Sequence, residues 1–509
     1  MTLAAGLPDP GTRRFITISA MAATLMNTLD TTIANVALPH IQGSVAASSE
    51  QITWVLTSYI VAAAIFTPLT GWLAGRFGRR RLMLVSIFGF TIASGLCGLA
   101  TNLNEIVGFR MLQGVFGAAL VPMSQAIFLD INPPEKHGSA MAMWTMGAIL
   151  GPILGPVLGG WLTDNLTWRW VFYINVPVGL LAFLGIFFFL AETRAETPVK
   201  LDLFGFAALA LAIASGQLML DRGQQLDWFS STEICIEAAA VVFFSYLFIV
   251  QTVTARRPFI DLALFADRNF LFCCVLGFLV GVLLFGVLSI LPQLLEGLMG
   301  YPVVTTGLAM APRGVGTLVS TIAVGRIARW VDGRLLMFVG LMLNALSMFM
   351  MSGMSLQMGE SVIVISGFIQ GMGSGLVFVP LSTLAFATLA PHFRNEGAAM
   401  FTLIRNLGSS IGISILQVVS YRSAEGVSSR LVEGLRPDNP TVATMSSSYS
   451  LTDPTGIAAL SAEVDRQARM VSYIDAFWAL GIVSVIAMGL ILFMRPPRRG
   501  ADAVVIHMD

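Results

Sequence analysis

Fourteen long apolar stretches follow one another along the chain of 509 residues, and they restrict its fold more than any other feature. Each has about 20 residues, the length that an α-helix needs to cross the hydrocarbon core of a bilayer. A helix satisfies its backbone hydrogen bonds within one segment, as lipid requires. The chain is therefore predicted to be an all-α polytopic membrane protein. The predicted spans lie near residues 15–38, 52–74, 82–101, 104–129, 139–163, 170–191, 202–220, 234–254, 269–291, 303–325, 334–356, 361–389, 398–420 and 471–494.

The composition agrees with this fold class and argues against several kinds of function. Hydrophobic residues make up 56% of the chain and charged residues 11%, whereas soluble proteins have about 25% charged residues. With a net charge of zero and no basic tail, nucleic acid is not an expected partner. The four cysteines lie in apolar stretches without a Cys/His cluster for a metal, and the histidines lie in loops or the tail. No G-x-x-x-x-G-K-S/T loop is present to bind ATP. We therefore expect neither an enzyme nor a bound cofactor.

Lys and Arg residues are concentrated on one side of the predicted membrane. Most of the 29 fall in the tails and in the loops on the side of the N-terminus. The short loops on the other side carry only Arg169 and Arg222. Because basic residues are retained on the cytoplasmic side, both termini are predicted to be cytoplasmic.

A weak internal repeat divides the chain into two halves. The basic turn Gly71–Arg81 follows the second span, and a similar turn, Gly325–Arg334, follows the tenth. We therefore expect two six-helix bundles separated by an extra helix pair, with a substrate path between the bundles. The predicted parts are an N-terminal tail (1–14), a first bundle (15–191), a linker with two extra helices (192–268), a second bundle (269–494) that includes a long outer loop (421–470), and a C-terminal tail (495–509).

A ladder of glycines marks the fifth span. Glycine recurs at every fourth residue from Gly147 to Gly159, which makes one stripe without side chains on a helix. Pro152 and Pro156 recur at the same interval and should bend this helix. The ladder is either a general contact between membrane helices or a hinge seam that closes the outer end of the substrate path. In the second case we expect it to pack against a helix of the opposite half.

Two charged residues inside the spans of the first half are candidates for proton coupling. Asp30 lies in a span without other acids, where a charge is costly unless it is paired or hydrated. It is either a hydrogen-bonded packing residue or a protonatable residue of the central cavity. Arg110 stays charged when buried and must find an acceptor. It either holds two helices together or, with Gln113 one turn away, tunes proton release from Asp30 or another carboxylate.

Several segments, in this order, resemble the fourteen-span drug:proton antiporter family of the major facilitator superfamily, the EmrB/QacA type. The segments are Leu29–Pro39, Gly71–Arg81, Arg110–Gly114, Gly151–Gly160, Trp168–Pro177 and Arg394–Gly397. One departure is Gly75, which stands where the gating turn of the superfamily usually has an acidic residue. The turn therefore lacks the usual acid of its charge latch.

The resemblance implies a function, partners and site residues. It implies a proton-coupled multidrug exporter that works by alternating access, with the proton gradient as its energy source. The EmrB type further implies a periplasmic EmrA-like adaptor and a TolC-like outer-membrane channel, with this chain in the plasma membrane of a bacterium, the inner membrane if the cell is Gram-negative. The implied gating turn contains Gly71, Arg76, Gly78 and Arg79, and the implied antiporter motif contains Gly151, Gly155, Pro156, Gly159 and Gly160.

We interpret the chain as an exporter of hydrophobic compounds, cationic or amphipathic, in which Asp30 holds either a proton or a cationic substrate. Arg313 is expected to reach the surface or to pair with Glu296. The outer loop 421–470 is either a disordered excursion or a docking surface for the adaptor.

The alternative functions of the protein are an exporter of one metabolite or fatty acid, a facilitator that imports a nutrient, and a scaffold or receptor that transports nothing. The predicted substrate cavity contains Asp30, Asn35, Arg405 and Asn406.

Overall fold

Helices form all the regular structure in the part of the chain that the structure describes. The structure is a computed structural model, and it describes residues 8–48, 51–133, 136–192, 201–256, 258–328, 330–390, 393–435 and 453–494. The predicted C-terminal tail, 495–509, lies outside the described residues, as do residues 1–7 of the N-terminal tail.

The described helices follow the predicted order of spans. In the first half they are α1 (Pro10–Ser44), α2 (Trp54–Phe66), α3 (Leu69–Phe77), α4 (Arg79–Leu99), α5 (Leu103–Gly117), α6 (Leu120–Ile131), α7 (His137–Asn165), α8 (Trp170–Tyr173) and α9 (Asn175–Phe189). The extra pair is α10 (Leu203–Arg222) and α11 (Thr232–Thr254). The second half contains α12 (Ala263–Ala266), α13 (Arg268–Pro292), α14 (Val303–Ile327), α15 (Gly333–Met351), α16 (Glu360–Ala387), α17 (Arg394–Gly434) and α18 (Pro454–Ile491).

Thirteen spans are long and apolar enough to cross a membrane among the described residues. Eleven pass as single segments, and two more pass as bent pairs. One pair is α2 with α3, bent by 57° beside Pro68, and the other is α7, bent by 41° after Pro152. Proline removes a backbone donor and so permits such bends. The helix α1 has 35 residues but is less apolar, because polar residues such as Asn27 and Asp30 occupy its buried side. With α1, the structure is consistent with fourteen spans, and the predicted all-α membrane fold is confirmed.

The helices pack mainly within two groups that meet along a few seams. In the first group α1 packs on α7 and α9, and α5 packs on α2 and α4. In the second group α16 packs on α14 and α15, and α17 packs on α13 and α18. The groups meet where α7 lies along α14 and where α17 contacts α3 and α6. The domain boundaries predicted at residues 191 and 269 stay predictions.

The predicted outer loop is helical over much of its length. The helix α17 has 41 residues and continues to Gly434, and α18 has 38 residues and begins at Pro454. At 1.5 Å per residue each helix is about 60 Å long, roughly twice the thickness of the hydrocarbon core. The extension of α17 is linked to α18 where Ser423 Oγ donates to Asp475 Oδ2 at 2.5 Å. The loop prediction used apolarity to end the spans, but a helix continues into water while its residues suit it. Residues 436–452 lie outside the described part.

The glycine ladder packs within its own half, so the prediction of a partner in the opposite half was wrong. A methyl group added at Gly151 or Gly155 would overlap the Thr28 or Thr32 hydroxyl of α1, and one at Gly159 would lie 3.0 Å from Ile33 Cγ1. Gly160 is buried as well, and the side chain of Pro156 lies outside the described part. The contact of α7 with the opposite half uses other positions, such as Val157, which packs against Gly307 of α14.

The α1–α7 seam leads to a prediction about stability. Gly155→Ala is expected to destabilise the protein by about 1–3 kcal/mol, because the added methyl group overlaps Thr32. The matched control is Gly147→Ala on the same stripe, where the new methyl group would lie 3.5 Å from Met21 O. The free energy of unfolding of this variant should be unchanged or higher by up to about 1 kcal/mol, since alanine favours the helix. The unfolding midpoints of both purified variants in detergent check this, and equal midpoints would contradict it.

Candidate functional site

A buried ion pair forms the centre of the candidate proton site. Arg110 Nη1 on α5 donates to Asp30 Oδ2 on α1 at 2.5 Å. The two side chains are 1% and 0% exposed. A lone charge at such a place would be costly, whereas a pair with further hydrogen bonds is tolerated. Of the carboxylates that the sequence left open as partners of Arg110, the structure therefore selects Asp30.

Amide groups saturate the other oxygen of the Asp30 carboxylate. Gln113 Nε2 and Asn175 Nδ2 each donate to Asp30 Oδ1 at 2.9 Å. Asn175, at the start of α9, also donates to Ser94 Oγ on α4 at 3.0 Å, and that hydroxyl donates to Phe172 O. Gln113 was predicted as part of the site, whereas Asn175 and Ser94 were missed. The sequence feature that could have identified Asn175 is an amide side chain inside an apolar span.

The guanidinium of Arg110 is held on its remaining sides as well. Its Nε donates to Val55 O of α2 at 3.0 Å, and its Nη1 also donates to Gln113 Oε1 at 2.9 Å. Its central carbon lies 4.4 Å from the centre of the Tyr59 ring, close enough for a cation–π interaction. The site thus joins five segments of the first half. A proton bound to the Asp30 carboxylate would leave the positive charge of Arg110 without its counterion. The arrangement can therefore change its net charge by taking up or releasing a proton.

A separate cavity lies between the two halves. Its volume is about 120 Å³, and its wall comes from α1, α6 and α7 of the first half and from α13, α14, α16 and α17 of the second. Most of the wall is apolar, including Leu284, Phe285, Leu288 and Met310. A cavity between two helix bundles is where alternating access exposes a compound first to one side and then to the other.

The four predicted cavity residues do not all line this cavity. Arg405 lines this cavity, whereas Asp30, Asn35 and Asn406 are not among its lining residues. On α1 the lining residues are Thr28 and Thr31. Asp30 lies about 100° around the helix from Thr31, so its side chain points into the first half instead. Asn35 is exposed and donates to Thr31 O at 3.4 Å, and Asn406 is also exposed.

The predicted gating turn lies between α3 and α4. Gly78 adopts a positive φ of 86°, which a residue with a side chain rarely adopts, and Gly71 is buried in α3. The guanidinium carbon of Arg76 lies 5.3 Å from the centre of the Trp72 ring. The positive φ of Gly78 lets α3 end and α4 begin within one residue.

A carboxylate that the sequence interpretation missed connects this turn to the opposite half. Asp130, at the end of α6, forms an ion pair with Arg79 of the turn. Its Oδ1 lies 3.5 Å from Arg394 Nη1, at the start of α17. Although Gly75 stands in the usual acidic position, the turn therefore has a carboxylate partner. The sequence feature that could have identified Asp130 is an acidic residue at the very end of an apolar span.

The Asp130 contact leads to a prediction about gating. Asp130→Asn should weaken the seam between the halves on the side predicted to be cytoplasmic. Ala142 is 3% exposed there and packs in one cluster with Val324 of the opposite half, so Ala142→Cys in a Cys235→Ser background is the reporter. A membrane-impermeant maleimide should label it several times faster when Asp130→Asn is added. Glu192→Gln, which removes an exposed partner of Arg81 within the first half, is the control. Equal labelling rates would contradict a latch at Asp130.

Comparisons with known proteins agree with this geometry. The model of the Major Facilitator Superfamily matches residues 20–413. The chain is 37% identical to the multidrug export protein EmrB of Escherichia coli (strain K12), over 95% of both chains. It is 33% identical to the fatty acid resistance protein FarB of Neisseria gonorrhoeae, over 95% of this chain and 96% of that one. The fold matches the structure of the proton:xylose symporter XylE bound to 6-bromo-6-deoxy-D-glucose, with a TM-score of 0.63, 15% identity and 96% of both chains covered. The protein therefore belongs to the Major Facilitator Superfamily of transporters, within the group of EmrB-like drug transporters.

Proposed function

We propose that the protein is a proton-coupled antiporter that exports hydrophobic or amphipathic compounds from a bacterial cell by alternating access. The observation that carries this proposal is the pair of sites described above. An apolar cavity lies between the two halves, and a buried ion pair lies beside it in the first half. The names of the similar proteins, multidrug export and fatty acid resistance, support cargo with large apolar parts.

The geometry supports an indirect coupling of proton and cargo. Asp30 is fully buried away from the cavity, so a proton and a cargo molecule occupy different places in this conformation. Direct competition at Asp30, which the sequence suggested, is therefore not the coupling that we propose. The helix α1 carries Asp30 on one side and the cavity residues Thr28 and Thr31 on another. Coupling through α1 needs only a small rotation or shift of this helix.

The proposed coupling step is the protonation of Asp30. A proton that binds the carboxylate removes its charge, so its attraction to Arg110 falls and the hydrogen bonds from Gln113 and Asn175 weaken. The helix α1 is then held less firmly by its own half. Loss of the proton to the cytoplasm restores the pair and draws α1 back. Export follows if the two positions of α1 favour cavities open to opposite sides.

Charge removal at Asp30 tests this proposal. Asp30→Asn is expected to abolish cargo transport driven by a pH gradient in inverted membrane vesicles. Glu105→Gln, which removes a partly exposed acid in the first turn of α5, is the control and should keep this transport. Because Asp30→Asn leaves Arg110 buried without its partner, it can cost about 3–5 kcal/mol of stability. The double variant Asp30→Asn/Arg110→Gln removes both charges and should recover folding without recovering proton-driven transport. Normal pH-dependent transport by the folded double variant would contradict a proton site at this pair.

The extended helices support a place for the protein in a pump that crosses two membranes. The distribution of Lys and Arg supports an orientation in which both termini are cytoplasmic and the extensions of α17 and α18 are on the outer side. Several apolar side chains are exposed on these extensions: Tyr421, Leu431, Val432 and Ile457. Exposed apolar residues beyond the bilayer suit a protein partner. We assign this surface to an EmrA-like adaptor that leads to a TolC-like outer-membrane channel.

A substitution on the extension tests the adaptor. Val432 is 56% exposed, and Val432→Asp should reduce co-purification of a co-expressed EmrA-like adaptor several-fold. Ser429→Asp adds the same charge at an exposed polar residue one turn away and serves as the control. Transport in vesicles without adaptor should be unaffected by either change. Full co-purification with Val432→Asp would place the adaptor elsewhere.

A further inference from the structure

Among the described residues, the wall of the central cavity has positively charged side chains and no negatively charged ones. Its charged lining residues are Arg313 on α14 and Arg405 on α17, both from the second half. Within the part of the chain that the structure describes, no Asp or Glu lines it. The first half contributes small, apolar and hydroxyl side chains, including Thr28 and Thr31. Any compound in the cavity therefore meets two guanidinium groups.

The described residues leave at least one N–H group of each guanidinium without a hydrogen-bond acceptor. Arg313 is 7% exposed, and its Nη2 donates to Leu284 O at 3.0 Å, while its Nη1 has no hydrogen-bond partner in the described part of the chain. The buried Nε of Arg405 also lacks such a partner, and its guanidinium carbon lies 5.3 Å from the centre of the Phe378 ring. No ion pair involves either residue among the described residues, so the predicted pair of Arg313 with Glu296 is absent there.

Arg110 has acceptors of a kind that Arg313 and Arg405 lack among the described residues. In the first half, Arg110 has a carboxylate, an amide oxygen and a backbone carbonyl as acceptors. The Asp30 carboxylate is occupied by that network and does not face the cavity. Arg313 and Arg405 have no comparable set. Buried guanidinium groups need acceptors, and a carboxylate or another planar oxyanion matches their fork of donors best.

We propose that the cavity selects amphipathic organic anions, with the oxyanion of the cargo bound by Arg313 and Arg405. The apolar body of the cargo then lies against the wall formed by Leu284, Phe285, Leu288 and Met310. A cation would be repelled by both arginines, so the sign of the cargo charge is opposite to the cationic cargo that the sequence suggested. This inference rests on the proposed export function and specifies its cargo.

Two probes with the same ring system separate charge from apolarity. 1-Anilinonaphthalene-8-sulfonate is an anion, and N-phenyl-1-naphthylamine is its uncharged counterpart without the sulfonate. In inverted vesicles with a pH gradient, the wild type should transport the anion in preference to both the uncharged probe and ethidium, a cation. Arg313→Gln and Arg405→Gln should each reduce transport of the anion about tenfold or more and leave transport of the uncharged probe unchanged. Arg405→Lys, which keeps the charge, should restore part of the anion transport.

Controls distinguish a binding role from a structural one. Arg268→Gln, at the start of α13 and outside the cavity wall, should change transport of neither probe. Equal losses for both probes in the Arg313→Gln and Arg405→Gln variants would overturn the proposal, since a packing role affects all cargo alike. Preference of the wild type for ethidium over the anion would overturn it too.

Equilibrium binding separates this proposal from the proposed export function. Purified wild-type protein in lipid nanodiscs should bind the anionic probe without any gradient, with the Arg313→Gln/Arg405→Gln double variant as the background. Selective binding of the anion together with no transport of any probe would support the cavity assignment and count against proton-driven export. Proton-driven transport of the uncharged probe without selective binding of the anion would support export and overturn the anion site.

Discussion

The buried pair of Asp30 and Arg110 is the interaction on which the rest of the structure depends. A charge inside the membrane needs a partner, and this pair obtains its additional hydrogen bonds from α2, α5 and α9, while Ser94 of α4 accepts a hydrogen bond from Asn175. Once Asp30 faces these helices, the rotation of α1 about its axis is fixed. Thr28 and Thr31 then lie on the cavity, and Thr32 and Ile33 lie along the glycines of α7. One ion pair therefore sets both the cavity wall of α1 and its close packing against α7.

The two halves treat buried positive charge in opposite ways. In the first half the protein itself neutralises the guanidinium of Arg110, which suits a site that changes charge when a proton binds. In the second half Arg313 and Arg405 face the cavity with donors left over, which suits a site completed by cargo. Under the proposed function, the proton and the cargo act on different halves. Movement of the halves relative to each other links them, and the Asp130 contact with Arg79 and Arg394 holds the halves together at one end.

Much of the fold followed from apolarity along the chain, and part of the site followed from the cost of burying charge. The spans, the bend at the prolines of the fifth span, and the selection of Asp30, Arg110 and Gln113 were accessible from the sequence. Asn175, Ser94 and Asp130 were not selected, because polar residues become informative only when their partners are known. The partner of the glycine ladder was predicted in the wrong half. The outer loop proved largely helical where the structure describes it, since apolarity marks where lipid ends and not where a helix ends.

The sequence by itself determined which segments cross the membrane, in what order, and that Asp30 and Arg110 must find partners there. Only the tertiary structure decided which side of each helix faces the cavity, a neighbouring helix or lipid. The physical reason is that lipid and the protein interior are both apolar, so the periodicity that reveals the buried side of a helix in water is weak in a membrane. Helix rotation therefore depends on close contacts, as between α1 and α7, and on the few polar groups that pair. Asp30 behind the cavity wall and Arg313 on it are both results of that rotation.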